Sequence, residues 1–222
     1  IINTPHNPTG MVWQKSDLDH LASLVRSTNA LILSDEVYEH MVFDGFNHIS
    51  IASQPELAAR SFVVSSFGKT YHVTGWKVGY VAAPAAMMKE FRKVHQFNVF
   101  TVNTPMQYGL AEYLKNADHY LTLPSFYQAK RDFFSKGLER TRFKLLPSPA
   151  SYFQCVSYTK LNIPQAKLNE ADFCSWLTTE VGVAAIPVSA FYAKPVESGV
   201  IRFCFAKEEK TLSAALERLQ TL

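Results

Sequence analysis

No stretch of the 222-residue chain approaches the ~20 consecutive apolar residues that a bilayer-spanning helix needs, so the sequence excludes a membrane span. Charge of one sign is also missing. No run of Lys or Arg exceeds two residues, and 22 basic against 19 acidic residues leave a formal net charge of +3. A charge that mild and that evenly spread argues against a nucleic-acid partner. Cysteine is scarce: Cys155, Cys174 and Cys204 are odd in number, far apart and in no CxxC pattern. That excludes a disulfide framework and predicts reduced thiols serving as small core residues. The opening residues Ile1-Ile2-Asn3 carry neither a basic region nor an apolar h-region, so no signal peptide is read there. With the reduced thiols, this predicts a cytoplasmic protein. The chain also lacks an initial Met and opens inside what reads as a strand end, which points to a fragment. Repeats and low-complexity tracts are absent. What is present is 47% hydrophobic and 18% charged, a globular composition that excludes wholesale disorder. The length suits one large or two modest domains.

Short apolar runs predict buried strands at Ala30–Leu33, Ser61–Val64 and Val78–Ala82. Between the first two runs and the loop before them lies a helix. Ser16 is its expected cap, Asp17 and Asp19 favour its positive end, Leu18, Leu21, Leu24 and Val25 recur at helical spacing, and Asn29 ends it. Strand, helix, strand with continuous apolar strands predicts an α/β layer with a largely parallel sheet covered on both faces. Helices are expected over 87–97 and 105–115, with Pro105 at a first helical position. A polar helix is expected over 125–141, with Phe126, Ala129, Phe133 and Leu138 on its apolar side. After Pro147 and Pro149 the pattern changes. Strands at 152–158, 183–188 and 200–205, with helices at 170–180 and 207–222, predict a smaller α+β lobe.

Three polar loops follow strands, and in an open α/β sheet ligands bind beyond the carboxyl ends of strands. The first, Asn3-Thr4-Pro5-His6-Asn7-Pro8-Thr9-Gly10, is stiffened by two prolines and would aim the Asn7 amide; an ordinary Asn-Pro turn explains it equally. The second, Ser34 to His40, puts Asp35 at the rim of the sheet, partly desolvated and in want of a positive partner. A metal set of Asp35, Glu36 and His40 lacks any HExxH spacing, so no metal is expected; a solvated acidic loop is the plain alternative. The third runs from Ser65 to Tyr80. Gly68-Lys69-Thr70 resembles the end of a phosphate-binding P-loop, but the required earlier glycine is Val63, so that reading fails on spacing. Lys69 and Lys77 remain, with hydroxyls at Ser65, Ser66 and Thr70. Desolvation and a neighbouring cation lower a lysine's pKa and free its amine as a nucleophile, although a lone loop lysine is usually just solvated. A lysine for an aldehyde, donors for a phosphate and a carboxylate for a pyridine nitrogen together suit pyridoxal phosphate.

The ordered set Asn7-Pro8-Thr9-Gly10, Asp35-Glu36-Val37-Tyr38, Ser66-Phe67-Gly68-Lys69 and Ile201-Arg202-Phe203 resembles the class I/II aminotransferases of pyridoxal-phosphate fold type I. The resemblance covers essentially the whole chain. Ser65–Tyr80, Val102–Pro105 and Pro187–Tyr192 are most similar to the methionine aminotransferase and kynurenine/glutamine aminotransferase branch. It implies an α/β fold in three parts: residues 1–124 as the C-terminal part of the large cofactor-binding domain, 125–145 as a linking helix, and 146–222 as the small α+β domain. It implies that Lys69 forms a Schiff base with the cofactor and then moves the substrate proton. Asp35 holds the pyridine nitrogen protonated, Tyr38 and Asn7 bond the cofactor's O3′, Ser66 and Lys77 bind its phosphate, and Arg202 takes the substrate α-carboxylate. A structural ion pair is the other reading of Arg202. The resemblance also implies a cis bond between Asn7 and Pro8, and a homodimer in which Asn103-Thr104-Pro105 reaches the neighbour's phosphate.

Two departures from the family pattern follow. Many relatives carry Arg where this chain has Lys77, which keeps the charge but loses the forked donor. The family also has a further N-terminal portion, so the chain reads as N-terminally truncated, with an open strand edge and open apolar faces. Weak or absent activity of this polypeptide alone is therefore expected. The implied reaction is transamination of methionine, an aromatic amino acid, kynurenine or glutamine with a 2-oxo acid. Cysteine-conjugate β-elimination on the same residues, and a catalytically incomplete folding or pairing module, are the alternatives.

Overall fold

The computed structural model describes residues 1–194 and 196–222. The chain divides into two compact units: Ile1–Pro5 with Val12–Pro124, and His6–Met11 with Ser125–Leu222. The short segment His6–Met11 therefore belongs by its contacts to the second unit, although it lies near the start of the sequence.

The first unit is built on a four-stranded sheet. In chain order its elements are β1 (Ile2–Asn3), α1 (Lys15–Val25), β2 (Ile32–Asp35), α2 (Pro55–Ala58), β3 (Ser61–Ser66), α3 (Phe67–Thr70), β4 (Gly79–Ala82), α4 (Ala85–Asn98), α5 (Thr104–Tyr113) and α6 (Asp118–Leu121). The strand order is β1-β2-β3-β4. β1, β2 and β3 are parallel, with Asn3 opposite Asp35 and Asp35 opposite Val64. β4 runs antiparallel to β3, so the sheet is mixed rather than uniformly parallel. One face carries the core: Ile32 and Val63 pack with Leu18, Ala22 and Val25 of α1 and with Ile51 and Leu57. On the other face Phe62 meets Phe91 of α4, with ring centroids 6.1 Å apart, while Leu33 is 39% exposed. The expectation of two fully covered faces is thus corrected.

Local chemistry shifts several boundaries. α1 starts at Lys15 and is capped at Gln14, two residues ahead of the expected place: the Asp17 carboxylate accepts from the Gln14 N–H at 2.7 Å, and Ser16 lies inside the helix. It ends at Val25 rather than at Asn29, because Arg60 Nη1 takes the carbonyls of Val25, Thr28 and Ala30 at 2.8, 3.0 and 3.3 Å. A donor from 30 or more residues away does the work expected of a local cap. β2 is shifted two residues along from the apolar run 30–33. Leu31 is exposed, whereas polar Ser34 is fully buried and donates to Glu36 at 2.9 Å. Pairing with β3 defines the strand, not apolarity. Pro105 is the second residue of α5, behind Thr104 and the Asn103 cap, whose side chain accepts from the Met106 N–H at 3.2 Å.

The second unit takes up α7 (Leu123–Leu138) from Ser125 onward, then β5 (Lys144–Leu145), β6 (Phe153–Ser157), α8 (Glu170–Trp176), β7 (Ile186–Pro187), β8 (Val200–Cys204) and α9 (Glu209–Leu219). Its sheet is antiparallel throughout, in the order β5-β6-β8-β7. α7 buries Tyr127, Phe134 and Leu138, not Phe126 and Phe133, which are exposed. Its stripe is set by its neighbours: Phe134 lies edge-on to Phe203 of β8 and Tyr127 faces Tyr152. Only Ile186–Pro187 of the strand expected over 183–188 is paired. Cys155 and Cys174 are buried and Cys204 half-buried, all three free; burial pushes the first two thiols up to about 11 and about 12. Among the described residues no helix is long and apolar enough to cross a membrane.

Candidate active site

In the first unit, Asp35 ends β2 and Ser66 ends the neighbouring β3. Both strands point their carboxyl ends the same way. Asp35 pairs with Val64, and alternation along β3 puts Ser66 on the face of Val64. Asp35 and Ser66 therefore leave adjacent strand ends on one face. The Asp35 backbone carbonyl is held from β1 by the Thr4 N–H at 3.1 Å and the Asn3 amide at 2.9 Å. Its carboxylate is aimed by the Val37 N–H at 3.2 Å. Tyr38 follows, its ring buried.

After β3 the chain turns at once into α3. Ser66 Oγ accepts from the Gly68 N–H at 3.1 Å, and Lys69, half-buried, sits on this single turn. Glycine is needed twice here. A Cβ on Gly68 would meet Thr74 Cα at 2.9 Å, and one on Gly79 would meet the Ser65 carbonyl at 2.6 Å. The turn from Gly68 closes with the Val73 N–H on the Gly68 carbonyl at 3.0 Å. It ends at Lys77, which is exposed and holds the left-handed conformation at φ 56°.

Behind Asp35 lies a buried network on the opposite face. The Glu36 carboxylate accepts from Ser34 Oγ at 2.9 Å, the Ile51 N–H at 3.0 Å and His48 Nε2 at 2.9 Å. Burial opposes its charge, but the donors, His48 first, hold its pKa below the usual carboxylate value. Glu39 accepts from Ser65 Oγ and Tyr80 Oη, both at 2.9 Å. Burial and the Glu39 charge push the Tyr80 phenol up to about 12. Glu36, Glu39 and His48 bring ligand atoms within 4.8 Å of one another. The set differs from the Asp35, Glu36 and His40 considered from spacing. Protein donors already fill its Glu36 carboxylate, so it reads as a brace for the Asp35–Tyr38 loop. Nothing local announced His48, which lies 12 residues from its partner.

In the second unit, the Arg202 guanidinium donates through Nη1 to Asn7 Oδ1. It lies over the Phe153 ring at 3.8 Å and 5.2 Å from the Phe191 centroid. Register explains the first contact: Arg202 pairs with Cys155, so Phe153, two residues away, shares its face. Asn7 is held by its loop. Thr4-Pro5 and Asn7-Pro8 are both cis, His6 Nδ1 bonds Thr9 Oγ1 at 2.8 Å, and Cys155 Sγ donates to the Pro8 carbonyl at 3.3 Å. Gly10, at φ 71°, approaches the Ala150 carbonyl so closely that a Cβ would lie 2.6 Å from it. Nothing local marks Phe153 as a partner of Arg202, because the pairing of β6 with β8 spans about fifty residues.

The seven residues singled out by sequence thus fall into two sets, Asp35, Tyr38, Ser66, Lys69 and Lys77 in one unit and Asn7 and Arg202 in the other. A mixed sheet with a carboxylate, a phenol, a hydroxyl and a lysine past its strand ends, and a small lobe presenting an arginine, define a fold type I transferase. The family described as aminotransferase class I and II matches residues 1–219, and the chain belongs to it. Members of this family use pyridoxal phosphate. The chain is 49% identical over 223 residues to the methionine aminotransferase of Escherichia coli K12, covering 100% of this chain and 57% of that protein. It is 36% identical over 238 residues to human kynurenine–oxoglutarate transaminase 1, covering 99% of this chain and 56% of that protein. Among solved structures, an Escherichia coli methionine aminotransferase, YbdL, matches with a TM-score of 0.94 at 49% identity, covering 100% of this chain and 58% of that one. The N-succinyldiaminopimelate aminotransferase of Mycobacterium tuberculosis matches with a TM-score of 0.92 at 35% identity, covering 99% and 57%. The chain spans little more than half the length of these relatives.

Proposed function

We propose that this protein moves an amino group from an L-amino acid with a large uncharged side chain, such as methionine, an aromatic residue, kynurenine or glutamine, to a 2-oxo acid. Pyridoxal phosphate, when bound, supplies a ring that withdraws electrons from the amino acid's Cα. The donor set suits that group: a carboxylate and a phenol follow one strand, and a hydroxyl and an amine follow its parallel neighbour. Lys69 Nζ carries the cofactor and moves the proton at Cα. Asp35 keeps the ring nitrogen protonated, and its carboxylate is pre-aimed by the Val37 N–H. Tyr38 bonds the phenolic oxygen. Asn7 serves the same oxygen through Nδ2, because its Oδ1 accepts from Arg202. Ser66 and Lys77 take the phosphate. Arg202 takes the α-carboxylate, where a planar fork meets a planar acceptor.

The observation that carries the reading is the placement of Asp35 and of the Ser66–Lys69 turn at adjacent parallel strand ends. The substrate class rests on the methionine and kynurenine aminotransferases among the relatives, and on the aromatic faces of Phe153 and Phe191 against Arg202. The test is borohydride reduction of the protein with pyridoxal phosphate, followed by peptide mass mapping. The expected result is one stable adduct on Lys69, with only slow formation of a 2-oxo acid from methionine in unreduced protein. Cofactor on another lysine, or full turnover in Lys69→Ala, overturns the reading. Pyruvate and thiol from a cysteine conjugate, without 2-oxo acid from methionine, would assign the β-elimination instead.

A further inference from the structure

The second unit contains a fully buried carboxylate that the reaction does not use. Glu170, the first residue of α8, is 0% exposed. Its Oε2 accepts from the Ser189 N–H at 2.6 Å. Its Oε1 accepts from the Ser198 N–H at 2.8 Å, Ser198 Oγ at 2.8 Å and the Val200 N–H at 3.2 Å. The backbone adds a further tie: the Glu170 N–H donates to the Glu197 carboxylate at 3.1 Å. One side chain therefore ties together two stretches that are not sequence neighbours. The first is the Val188–Phe191 turn, which follows β7. The second is the start of β8. Burial opposes the charge of Glu170, yet the backbone and hydroxyl donors hold its pKa below the ordinary value. An ionised carboxylate is the form that can accept from all four donors at once.

What these two stretches carry is Phe191 and Arg202. The Ser189 N–H lies two residues before Phe191, and the Val200 N–H two residues before Arg202. β7 enters the turn with Ile186 paired to Arg202 itself. The Phe191 ring stands 5.2 Å from the guanidinium although it is 44% exposed. An exposed ring on a short turn has little packing of its own, and beyond β7 the turn is tied to Glu170 through the Ser189 N–H.

We propose that Glu170 is a positioning residue: it holds the Val188–Phe191 turn to the start of β8 and so builds an apolar wall, Phe191, beside the arginine that takes the substrate carboxylate. The wall favours carboxylates with an aromatic or long apolar side chain over small ones. This rests on the reading of Arg202 as the carboxylate group. Glu170→Gln keeps the volume but replaces one acceptor oxygen with a donor, which breaks the bonds to at least one of the two stretches.

The test compares binding of 3-phenylpropionate and propionate to the pyridoxal-phosphate-loaded protein by calorimetry, with amide hydrogen exchange in parallel. In Glu170→Gln the Ser189, Ser198 and Val200 amides are expected to exchange at least about tenfold faster, with circular dichroism unchanged. Phenylpropionate binding is expected to weaken about tenfold, and propionate binding to stay within about twofold. Ser198→Ala, which removes one hydroxyl donor only, shifts the same ratio in the same direction by less, and decides the matter if Glu170→Gln does not fold. An unchanged ratio, or equal weakening of both ligands, overturns the proposal and leaves the aminotransferase reading standing. Unchanged propionate binding in Arg202→Ala overturns the carboxylate assignment instead, and the exchange rates then judge the anchor by themselves.

Discussion

At the scale of single residues, what matters most is how each polar group past the strand ends is held. Asp35 is aimed by one backbone N–H and braced from behind by Glu36. Replacing Glu36 with Ala leaves His48, Ser34 Oγ and the Ile51 N–H buried without their acceptor. The expected loss of stability is about 3 kcal/mol, read as a shift in urea midpoint. A loss below about 1 kcal/mol would show that the network is not a brace. Lys69→Ala removes the amine proposed to move the proton at Cα, and turnover is expected to fall by ~10²–10⁴-fold while the circular dichroism spectrum is kept. Gly10 tests the other unit. Its positive φ and the 2.6 Å approach to the Ala150 carbonyl predict that Gly10→Ala costs more than about 1 kcal/mol, in thermal or urea unfolding. Lys69, Asp35 and Arg202 could be singled out from the sequence because residue type and motif order are local properties. Glu36, His48 and Glu170 were not, since what distinguishes them is burial and partners 12 to 30 residues away.

At the scale of elements, the boundaries follow long-range partners more than local propensity. α1 stops where Arg60 gathers three carbonyls. Arg60→Ala should fray its last turn and cost about 1–2 kcal/mol, with faster amide exchange confined to residues 22–30; unchanged exchange there would assign the stop to Asn29 after all. Helix packing sets a second case. Gly137 in α7 is a helix-interior glycine, where Ala ordinarily gains up to about 1 kcal/mol. A Cβ there would meet Leu216 Cδ1 of α9 at 2.3 Å. Leu216 is itself buried, so it has little room to yield. Gly137→Ala is therefore expected to destabilise, by about 1–3 kcal/mol, the opposite sign to propensity. The same packing explains the apolar side of α7: periodicity marks a stripe, but the facing aromatics, Phe203 and Tyr152, select which stripe is buried.

At the scale of the whole molecule, acid and exposed surface are the two levers. Burial holds the His6 and His40 imidazoles below their ordinary pKa. The unfolded chain therefore binds protons that the folded one refuses, and stability falls as pH drops below about 6.5. Glu36 and Glu170 have folded pKa values below ordinary, so their contribution is present above about 4.3 and is lost as pH falls through the folded values. Two losses are expected in urea unfolding, one between neutral pH and about pH 5 and one below about pH 4. The first should shrink in His40→Gln. Val94, Phe97, Phe100 and Tyr108 of the first unit are 68%, 87%, 78% and 75% exposed. Such a surface suits the homodimer expected from the sequence, which sedimentation velocity reads directly; a monomer at micromolar concentration would refute it.

The order of the motifs and the chemical types of Asp35, Tyr38, Ser66, Lys69 and Arg202 were determined by the sequence alone, and so was the alternation of strands and helices that makes an α/β layer and an α+β lobe. Both are local properties: a motif is a spacing, and a strand or helix is a short-range period. The tertiary structure alone decided that β4 runs antiparallel, that Asn7 folds with the second unit and meets Arg202, and that Glu36 and Glu170 are buried anchors. Those facts depend on which distant backbone groups come within about 3 Å of a side chain, and hydrogen bonding at that range is set by packing across the chain, not by order along it.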